Sequence, residues 1–172
     1  MTYVGIVIEG IEDIAAEEVK GTIKGKRRIL FDKEKEDYQT IDTVYKLEEE
    51  FTFSVQEDII NALKKKKWKI QEPFRVTCKR AGNHLFTAND IEKEIGALIY
   101  GQGYAVSLSN PKTTVYIDIQ EEQCTIGKLI KDDIEKRAYR VRRNSAGISA
   151  SLAAAIVKKA GITTTESMLD PL

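Results

Sequence analysis

A basic cluster near the carboxyl end of the sequence has the clearest chemical meaning. The segment EKRAYRVRRNSAG, residues 135–147, contains one acid, Glu135, and one aromatic residue, Tyr139. Its basic residues are Lys136, Arg137, Arg140, Arg142 and Arg143. Guanidinium groups form paired hydrogen bonds with phosphates and stack on nucleobases. The cluster therefore indicates contact with RNA phosphates, and the alternative is a solvated linker that pairs with local acids (Asp132, Asp133 and Glu135).

A second candidate site is the segment KRAGNH, which follows an apolar strand pattern and precedes a helix pattern. Lys79 and Arg80 end the strand, and His84, the only histidine of the chain, lies in the loop. A helix N-terminus with nearby cations can bind phosphate. The alternative is a loop histidine that is hydrogen-bonded to the backbone. Lys112, in the NPKTT turn, is added to these candidate RNA-binding residues.

The lysine run KKKKWK, residues 64–69, is a weaker candidate. Lysines in the last turn of a helix interact favourably with the helix dipole, which accounts for them without a ligand. Trp68 is expected to fill the core rather than to stack on a base.

The residue inventory excludes most catalytic sites. One histidine and two cysteines, Cys78 and Cys124, are too few for a structural zinc site, and no CxxC pair is present. Triad, paired-carboxylate, P-loop and GxGxxG patterns are also missing. Both cysteines lie in apolar strand-like stretches, so we expect two buried free thiols, although a disulfide remains open. No residue is assigned a catalytic role and none a metal.

Strand and helix patterns alternate along the chain, which predicts a mixed α/β (α+β) fold. We expect strands at 2–10, 27–32, the end of 38–53, 74–80, 104–108, 115–120 and 124–130, the last two as a hairpin. We expect helices at 11–22, from Ser54 into the lysine run, at 88–100 and within 148–162. Ser54 with Glu57, and Thr87, are the expected N-terminal caps of two of them. In the last helix, Leu152, Ile156 and Val157 are expected to face the core.

Charge and hydropathy set the general class. Lys plus Arg and Asp plus Glu number 27 each, so the net charge is zero and nucleic-acid binding depends on where charges gather. No apolar run of 18 residues and no signal peptide pattern is present, so we expect no membrane partner and a cytoplasmic protein.

The segment FRVTCKRAGNHLFTANDIEKEIGALI resembles the central part of a THUMP domain. The matching features are a strand that ends in Lys79 and Arg80, then Gly82, His84, the cap Thr87 and the Ile95–Gly96 pair. VSLSNPKTTVYIDI is similar to the next THUMP signature. The resemblance implies an RNA-binding THUMP domain at 54–143, preceded by a ferredoxin-like N-terminal domain at 1–53.

The segment from 135 onward, ending SMLDPL, resembles the junction to a Rossmann-like domain in THUMP-containing RNA methyltransferases. Residues 144–172 are thus expected to be a linker and the start of a truncated methyltransferase domain. The family implies S-adenosylmethionine (SAM) as cofactor of the full-length parent, transfer to guanine N2, and the tRNA acceptor stem as partner. Asp170 would belong to the cofactor site, but the family's Cys-Gly-Ser-Gly turn does not follow it. We therefore expect this chain to bind RNA, to hold no cofactor and to be inactive alone.

Other protein classes remain open. They are the N-terminal part of a 4-thiouridine synthetase, a stand-alone THUMP adaptor, and a ferredoxin-like interaction module without an RNA role. Because Met168–Pro171 would open a missing catalytic sheet, residues after about Asn144 are expected to be loosely held, disordered or borrowed by a neighbouring molecule. The missing catalytic domain and a neighbouring copy are the further partners expected for the chain.

Overall fold

A computed structural model describes residues 1–134 and 147–162. The strands are β1 (Tyr3–Ile6), β2 (Thr22–Ile23), β3 (Arg28–Phe31), β4 (Thr43–Thr52), β5 (Phe74–Ala81), β6 (Thr113–Gln120) and β7 (Gln123–Lys131). The helices are α1 (Glu12–Val19), α2 (Gln56–Lys64), α3 (Ala88–Tyr100) and α4 (Ala150–Lys159). The predicted mixed α/β fold is confirmed.

The chain forms two compact units. Unit 1 comprises Met1–Val44 with the described part of Lys131–Leu172, and unit 2 comprises Tyr45–Ile130. The division lies inside β4, whereas the sequence suggested a boundary between Phe53 and Ser54. The domain ranges 1–53, 54–143 and 144–172, and the ferredoxin-like character of the first, stay predictions. In the described part of the chain, no helix is both long and apolar enough to span a membrane.

Unit 1 is built around a small antiparallel arrangement in the order β2-β3-β1. Val4 pairs with Leu30 and Thr22 with the same residue from the other side. The buried face of α1 packs on these strands through Ala15, Ala16 and Val19. Fully buried side chains of this core include Ile29 and Tyr38. Small residues on α1 let the helix lie close to the strands.

Unit 2 has the strand order β4-β7-β6-β5. β5 and β6 are parallel and are joined through α3, as a parallel pair requires a crossover connection. β6 and β7 form the predicted antiparallel hairpin. One apolar core joins β5, β6 and β7 to α2 and α3. Its fully buried side chains include Ile59, Leu63, Ile91, Ile95, Ile99, Ile117 and Ile126. Glycine is required at Gly127, where a Cβ would lie 2.1 Å from the carbonyl oxygen of Lys46.

Of the two predicted N-terminal caps, one is confirmed and one is wrong. Thr87 caps α3 and accepts a hydrogen bond from the Asp90 backbone N–H. Ser54 is not the cap of α2: Val55 holds that position, and the Asp58 carboxylate accepts from the backbone N–H groups of Ser54 and Val55 at 2.9 and 3.1 Å. Asp58, not Glu57, is three residues after the true cap, which is the spacing that the reciprocal bond needs.

Two further boundaries differ from the prediction. α1 ends at Val19 because Lys20 adopts a left-handed conformation, with φ of 53°, and Thr22–Ile23 form a short strand instead of a last turn. Residues 104–108 are not a strand; they contribute one bridge, Val106 with Phe74. The backbone N–H of Ser107 donates to Phe74 O at 2.9 Å, and the chain turns away afterwards.

Helix α4 packs through small residues rather than large ones. Ser151 and Ala155 are its buried positions, while Ile156 is 53% exposed, so the predicted core position of Ile156 is wrong and Leu152 and Val157 are half-buried. Small side chains permit close approach to α1, and the Ser151 hydroxyl hydrogen-bonds to the Asp42 carboxylate. The expected loose packing after Asn144 is therefore wrong for α4; residues 163–172 lie outside the described residues.

Glu18 connects three segments of unit 1. Its side chain is 6% exposed and accepts hydrogen bonds from the backbone N–H groups of Gln39 and Thr40 at 2.6 and 2.9 Å and from the Thr40 hydroxyl. Lys158 of α4 lies 3.2 Å from the same carboxylate. Burial alone would raise the pKa of Glu18, but the bonds from Thr40 and Gln39 lower it below its ordinary value.

We expect Glu18→Gln to lower the free energy of unfolding at pH 7 by about 1–3 kcal/mol. Because the folded-state pKa is lowered, the contribution of Glu18 is present above the ordinary pKa of 4.5 and is lost as the pH falls through the folded value. Urea denaturation at pH 7 and at pH 3 should show a smaller difference between wild type and variant at pH 3. The exposed neighbour Glu17 gives the matched control, Glu17→Gln, and equal losses in both variants would contradict this role.

Candidate nucleic-acid interface

The parallel pairing of β5 and β6 gives unit 2 two distinct ends. Phe74 lies opposite Thr113, and Lys79 lies opposite Asp118. At roughly 3.3 Å per residue, Lys112 and Lys79 are therefore separated by about 20 Å along the strands. The predicted RNA-binding residues that the structure describes consequently do not form one site. Lys79, Arg80 and His84 lie at the carboxyl end of these strands, and Lys112 lies at the amino end.

At the carboxyl end, Arg80 and His84 hold a loop in place. Arg80 Nη1 donates to Gly82 O at 2.9 Å and to His84 Nδ1 at 2.8 Å, and His84 Nε2 lies 2.8 Å from Glu121 O. Guanidinium only donates and a carbonyl oxygen only accepts. Nδ1 is therefore assigned as the acceptor, and Nε2 as the donor to Glu121 O.

Aromatic packing and one glycine reinforce this loop. The His84 ring contacts Phe86, at 4.9 Å between centroids, and Phe53, at 5.6 Å, and these two rings also contact each other at 6.0 Å. Gly82 has φ of 119°, and a Cβ there would lie 2.9 Å from the His84 ring. His84 is therefore bonded to the backbone within a packed loop, as the alternative interpretation of this histidine had it. Lys79 is exposed at this end.

The N-terminus of α3 has an anionic group from its own chain. Asp90 Oδ2 accepts from the Thr87 backbone N–H at 2.8 Å and from the Thr87 hydroxyl at 2.7 Å. These two bonds lower the pKa of Asp90. A carboxylate already complements the positive end of the helix dipole, which disfavours a phosphate at the same place.

The amino end brings together lysines that are far apart in the sequence. A shallow depression of about 620 Å³ is lined by Lys69, Lys112 and Lys128, with Tyr104 among the other lining residues. An adjoining depression of about 550 Å³ shares Tyr104 and Lys112. Ammonium groups around one concave surface are suited to contact with phosphate groups.

Hydrogen bonds fix the lysine-rich segment 64–69 at the amino end of the β5–β6 pair. The Trp68 backbone N–H donates to Gln102 Oε1 at 3.2 Å, and Gln102 Nε2 donates to Lys66 O at 2.8 Å. The Tyr104 hydroxyl donates to Trp68 O at 2.5 Å. Trp68 is 3% exposed and belongs to the core, which confirms its predicted position. Four lysines of this segment are exposed: Lys64, Lys65, Lys67 and Lys69.

Lys66 differs from its neighbours. Its ammonium lies 2.6 Å from Glu49, 3.3 Å from Glu48 and 5.1 Å from the Trp68 ring centroid. Burial alone would lower the pKa of Lys66, but the bonds and attraction from Glu49 and Glu48 raise it above its ordinary value. Lys66 is therefore a charged structural residue and not part of the exposed lysine surface.

Several predicted residues lie outside the described part of the chain. They are the basic cluster, Lys136, Arg137, Arg140, Arg142 and Arg143, and the candidate cofactor residue Asp170. No described side chain is assigned to SAM. Within residues 1–134 and 147–162, no group of three or more metal-ligating side chains was found.

The two cysteines are buried free thiols, as expected. Burial raises the pKa of the Cys78 thiol to about 12, with a smaller effect from Glu92. A thiol of this kind stays protonated near neutral pH and is inert as a nucleophile.

Comparison with known proteins assigns two segments of the chain. Residues 54–128, which lie within unit 2, match the model of the THUMP domain. The chain contains a THUMP domain. Residues 137–172 match the model of the RMKL-like methyltransferase domain. The resemblance to THUMP-containing methyltransferases is thereby confirmed, without a statement about which nucleotide is modified.

Solved structures share the fold of the described chain. TrmN from Thermus thermophilus is 21% identical, with a TM-score of 0.72 over 94% of this chain and 55% of its own. SMU.472, described as a methyltransferase in complex with SAH, is 19% identical, with a TM-score of 0.70 over 92% of this chain and 48% of its own. At these identities the likeness establishes the fold alone.

A curated relative belongs to another class of enzyme. The tRNA sulfurtransferase of Thermoplasma volcanium is 39% identical over 89 residues, which cover 49% of this chain and 17% of the relative. The chain thus spans less than a fifth of that protein's length and about half of each solved structure.

We expect ¹⁵N NMR of the single histidine to show the tautomer that is protonated at Nε2. Arg80→Met removes the donor to Nδ1 and should shift the Nδ1 resonance and broaden the amides of residues 82–86. Lys79→Met is the matched control, because Lys79 is the exposed neighbour on the same strand. An Nδ1-protonated His84 would contradict the hydrogen-bond assignment.

Proposed function

We propose that this chain is the RNA-binding portion of an RNA-modifying enzyme and that RNA phosphates bind at the amino end of the β5–β6 pair. The observation that carries the proposal is the gathering of Lys69, Lys112 and Lys128 around one depression. Zero net charge is compatible with it, because the exposed lysines need only gather on one surface. The THUMP match supports the assignment of this surface to RNA.

The basic cluster 136–143 is a second source of candidate RNA contacts in this chain. We propose that this cluster adds further phosphate contacts. The lysines contact mainly the sugar-phosphate backbone of the RNA, so binding depends on RNA shape more than on RNA sequence.

For the chemistry of the whole protein, we propose methyl transfer from SAM to tRNA. The methyltransferase match at 137–172 and the fold shared with TrmN support this class. The finer proposals, transfer to the exocyclic N2 of guanine and recognition of the acceptor stem, rest on the sequence resemblance of the junction segment. In this proposal the present chain recognises RNA, and Asp170 belongs to the cofactor site of the catalytic domain.

A second candidate is the RNA-binding part of a tRNA sulfurtransferase. The 39% identity to the Thermoplasma volcanium protein favours it for the THUMP region. Both candidates share RNA binding and differ in the domain that follows. Binding of radiolabelled SAM by the protein encoded by the complete reading frame separates them: retention supports methyl transfer, and retention of ATP without SAM supports sulfur transfer.

We expect Lys69→Ala/Lys112→Ala to weaken binding of a tRNA transcript about tenfold at 0.1 M salt. The plot of log Kobs against log salt should become shallower by about 0.7–0.9 for each phosphate that the variant no longer neutralises. Fluorescence anisotropy over a salt series measures both quantities. Lys79→Ala, at the opposite end of the strands, should have a smaller effect, and an equal or larger effect would move the interface to the carboxyl end.

The basic cluster makes a separate prediction. Replacing Arg137, Arg140, Arg142 and Arg143 by Ala should weaken tRNA binding and flatten its salt dependence, because four cationic side chains are removed. Unfolding temperature should stay close to that of the wild type if these residues serve RNA rather than the fold. Unchanged affinity and an unchanged salt slope would contradict the role of the cluster.

A further inference from the structure

An acidic residue lies among the lysines of the proposed RNA surface. Glu48, on β4, has Oε1 at 3.4 Å from the Lys128 ammonium and Oε2 at 3.3 Å from the Lys66 ammonium. Lys128 lines the depression to which RNA phosphate is assigned. On charge alone, a carboxylate at this position opposes the binding of a polyanion.

The contacts of its two lysine partners show what Glu48 does. The Lys128 ammonium donates to the backbone carbonyl of Lys69 at 2.6 Å. Lys66 is also held by Glu49 at 2.6 Å, and its side chain is only 13% exposed. Glu48 thus joins both ends of the segment 66–69: the Lys66 side chain at one end and, through Lys128, the Lys69 backbone at the other.

Fixing this segment in advance has a consequence for binding. A free loop with long lysine side chains loses conformational entropy when it becomes ordered on a ligand. Lys67 lies between the two attachment points and Lys69 lies at the second one. Both side chains are exposed, and the backbone that carries them is already fixed by these contacts. The restraint therefore favours RNA binding, whereas the charge of Glu48 disfavours it.

We propose that Glu48 is a positioning residue for RNA binding: by bridging Lys66 and Lys128 it holds the segment 66–69 in the geometry in which its lysines meet RNA. The inference rests on the proposed RNA-binding function of this surface. On charge alone, Glu48 would weaken RNA binding. In the positioning role, it strengthens RNA binding.

The direction in which one substitution changes tRNA affinity separates the charge effect of Glu48 from its positioning effect. Glu48→Gln keeps the shape but removes the charge that holds both ammonium groups. If charge alone matters, the affinity for a tRNA transcript rises. If positioning dominates, the affinity falls, and we expect a loss of about three- to tenfold with little change in salt slope, because the number of phosphate contacts is unchanged.

Glu72→Gln is the matched control. Glu72 Oε2 accepts from the Ala105 backbone N–H at 3.0 Å, and a glutamine oxygen keeps that acceptor while removing the charge. This variant should bind tRNA more tightly than the wild type. Circular dichroism and thermal unfolding verify that each variant is folded at the temperature of the binding assay.

A double-mutant cycle tests whether Glu48 acts through Lys66. The side chain of Lys66 is mostly buried, so Lys66→Met removes the partner. Adding Glu48→Gln to Lys66→Met should then reduce affinity by less than it does in the wild type. Full additivity would overturn a role through Lys66.

The outcomes distinguish this inference from the proposed function. If Lys69→Ala/Lys112→Ala weakens binding while Glu48→Gln binds as well as or better than the wild type, the positioning role is wrong and the RNA surface stands. If the lysine variant has wild-type affinity, the proposed surface is wrong and the positioning role is overturned with it.

Discussion

The parallel pairing of β5 with β6 is the constraint on which the rest of unit 2 depends. A parallel pair needs a crossover, and α3 supplies it, so the loop before α3 and the segment after it lie at opposite ends of the strands. One end receives Arg80, His84 and the β6–β7 turn. The other receives Lys112, the carboxyl end of β7 and the loop that precedes β5. Chemically similar residues are thereby divided into two sets with different surroundings.

The two sets differ in how their charges are used. At the carboxyl end, Arg80 and His84 bond to each other and to backbone carbonyls, and Asp90 accepts from the α3 cap residue Thr87, so polar groups there serve the loop. At the amino end, Glu48 and Glu49 hold Lys66 and Lys128, while Lys69 and Lys112 are exposed. The acids of that end therefore organise the lysines as well as partly neutralising them, which connects the packing of β4 to the electrostatics of the surface.

Periodicity in the sequence was sufficient for most elements of unit 2. The alternation of Phe74, Val76 and Cys78, the cap Thr87 and the spacing of Ile91, Ile95 and Ile99 correspond to β5 and α3 because each pattern is local. The predicted core position of Ile156 on α4 was wrong because tertiary packing favoured the small Ser151 and Ala155 over this larger side chain. The cap of α2 was wrong by one residue because Ser54 and Val55 both precede an acid at a plausible spacing.

The candidate site was less predictable than the fold. Residue type identified Lys112 and drew attention to KKKKWK, but the joining of Lys69, Lys112 and Lys128 depends on strand register that no local pattern specifies. The backbone hydrogen bond of His84 was suggested only as an alternative, since a loop histidine before a helix has the same sequence signature in either role, and its contact with Arg80 was not predicted. Glu48 gave no signal, because its importance arises from two lysines that are 18 and 80 residues away in the sequence.

The central claim is that RNA binds at the amino end of the β5–β6 pair. A ¹H–¹⁵N NMR titration of the chain with a minihelix RNA tests it most directly, because backbone amides at both ends are observed in one experiment. The account predicts the largest shift changes at residues 65–70, 104, 112 and 128, and small changes at 79–86 and 121–123. Shifts concentrated at 79–86 and 121–123, with residues 65–70 and 112 unaffected, would contradict it.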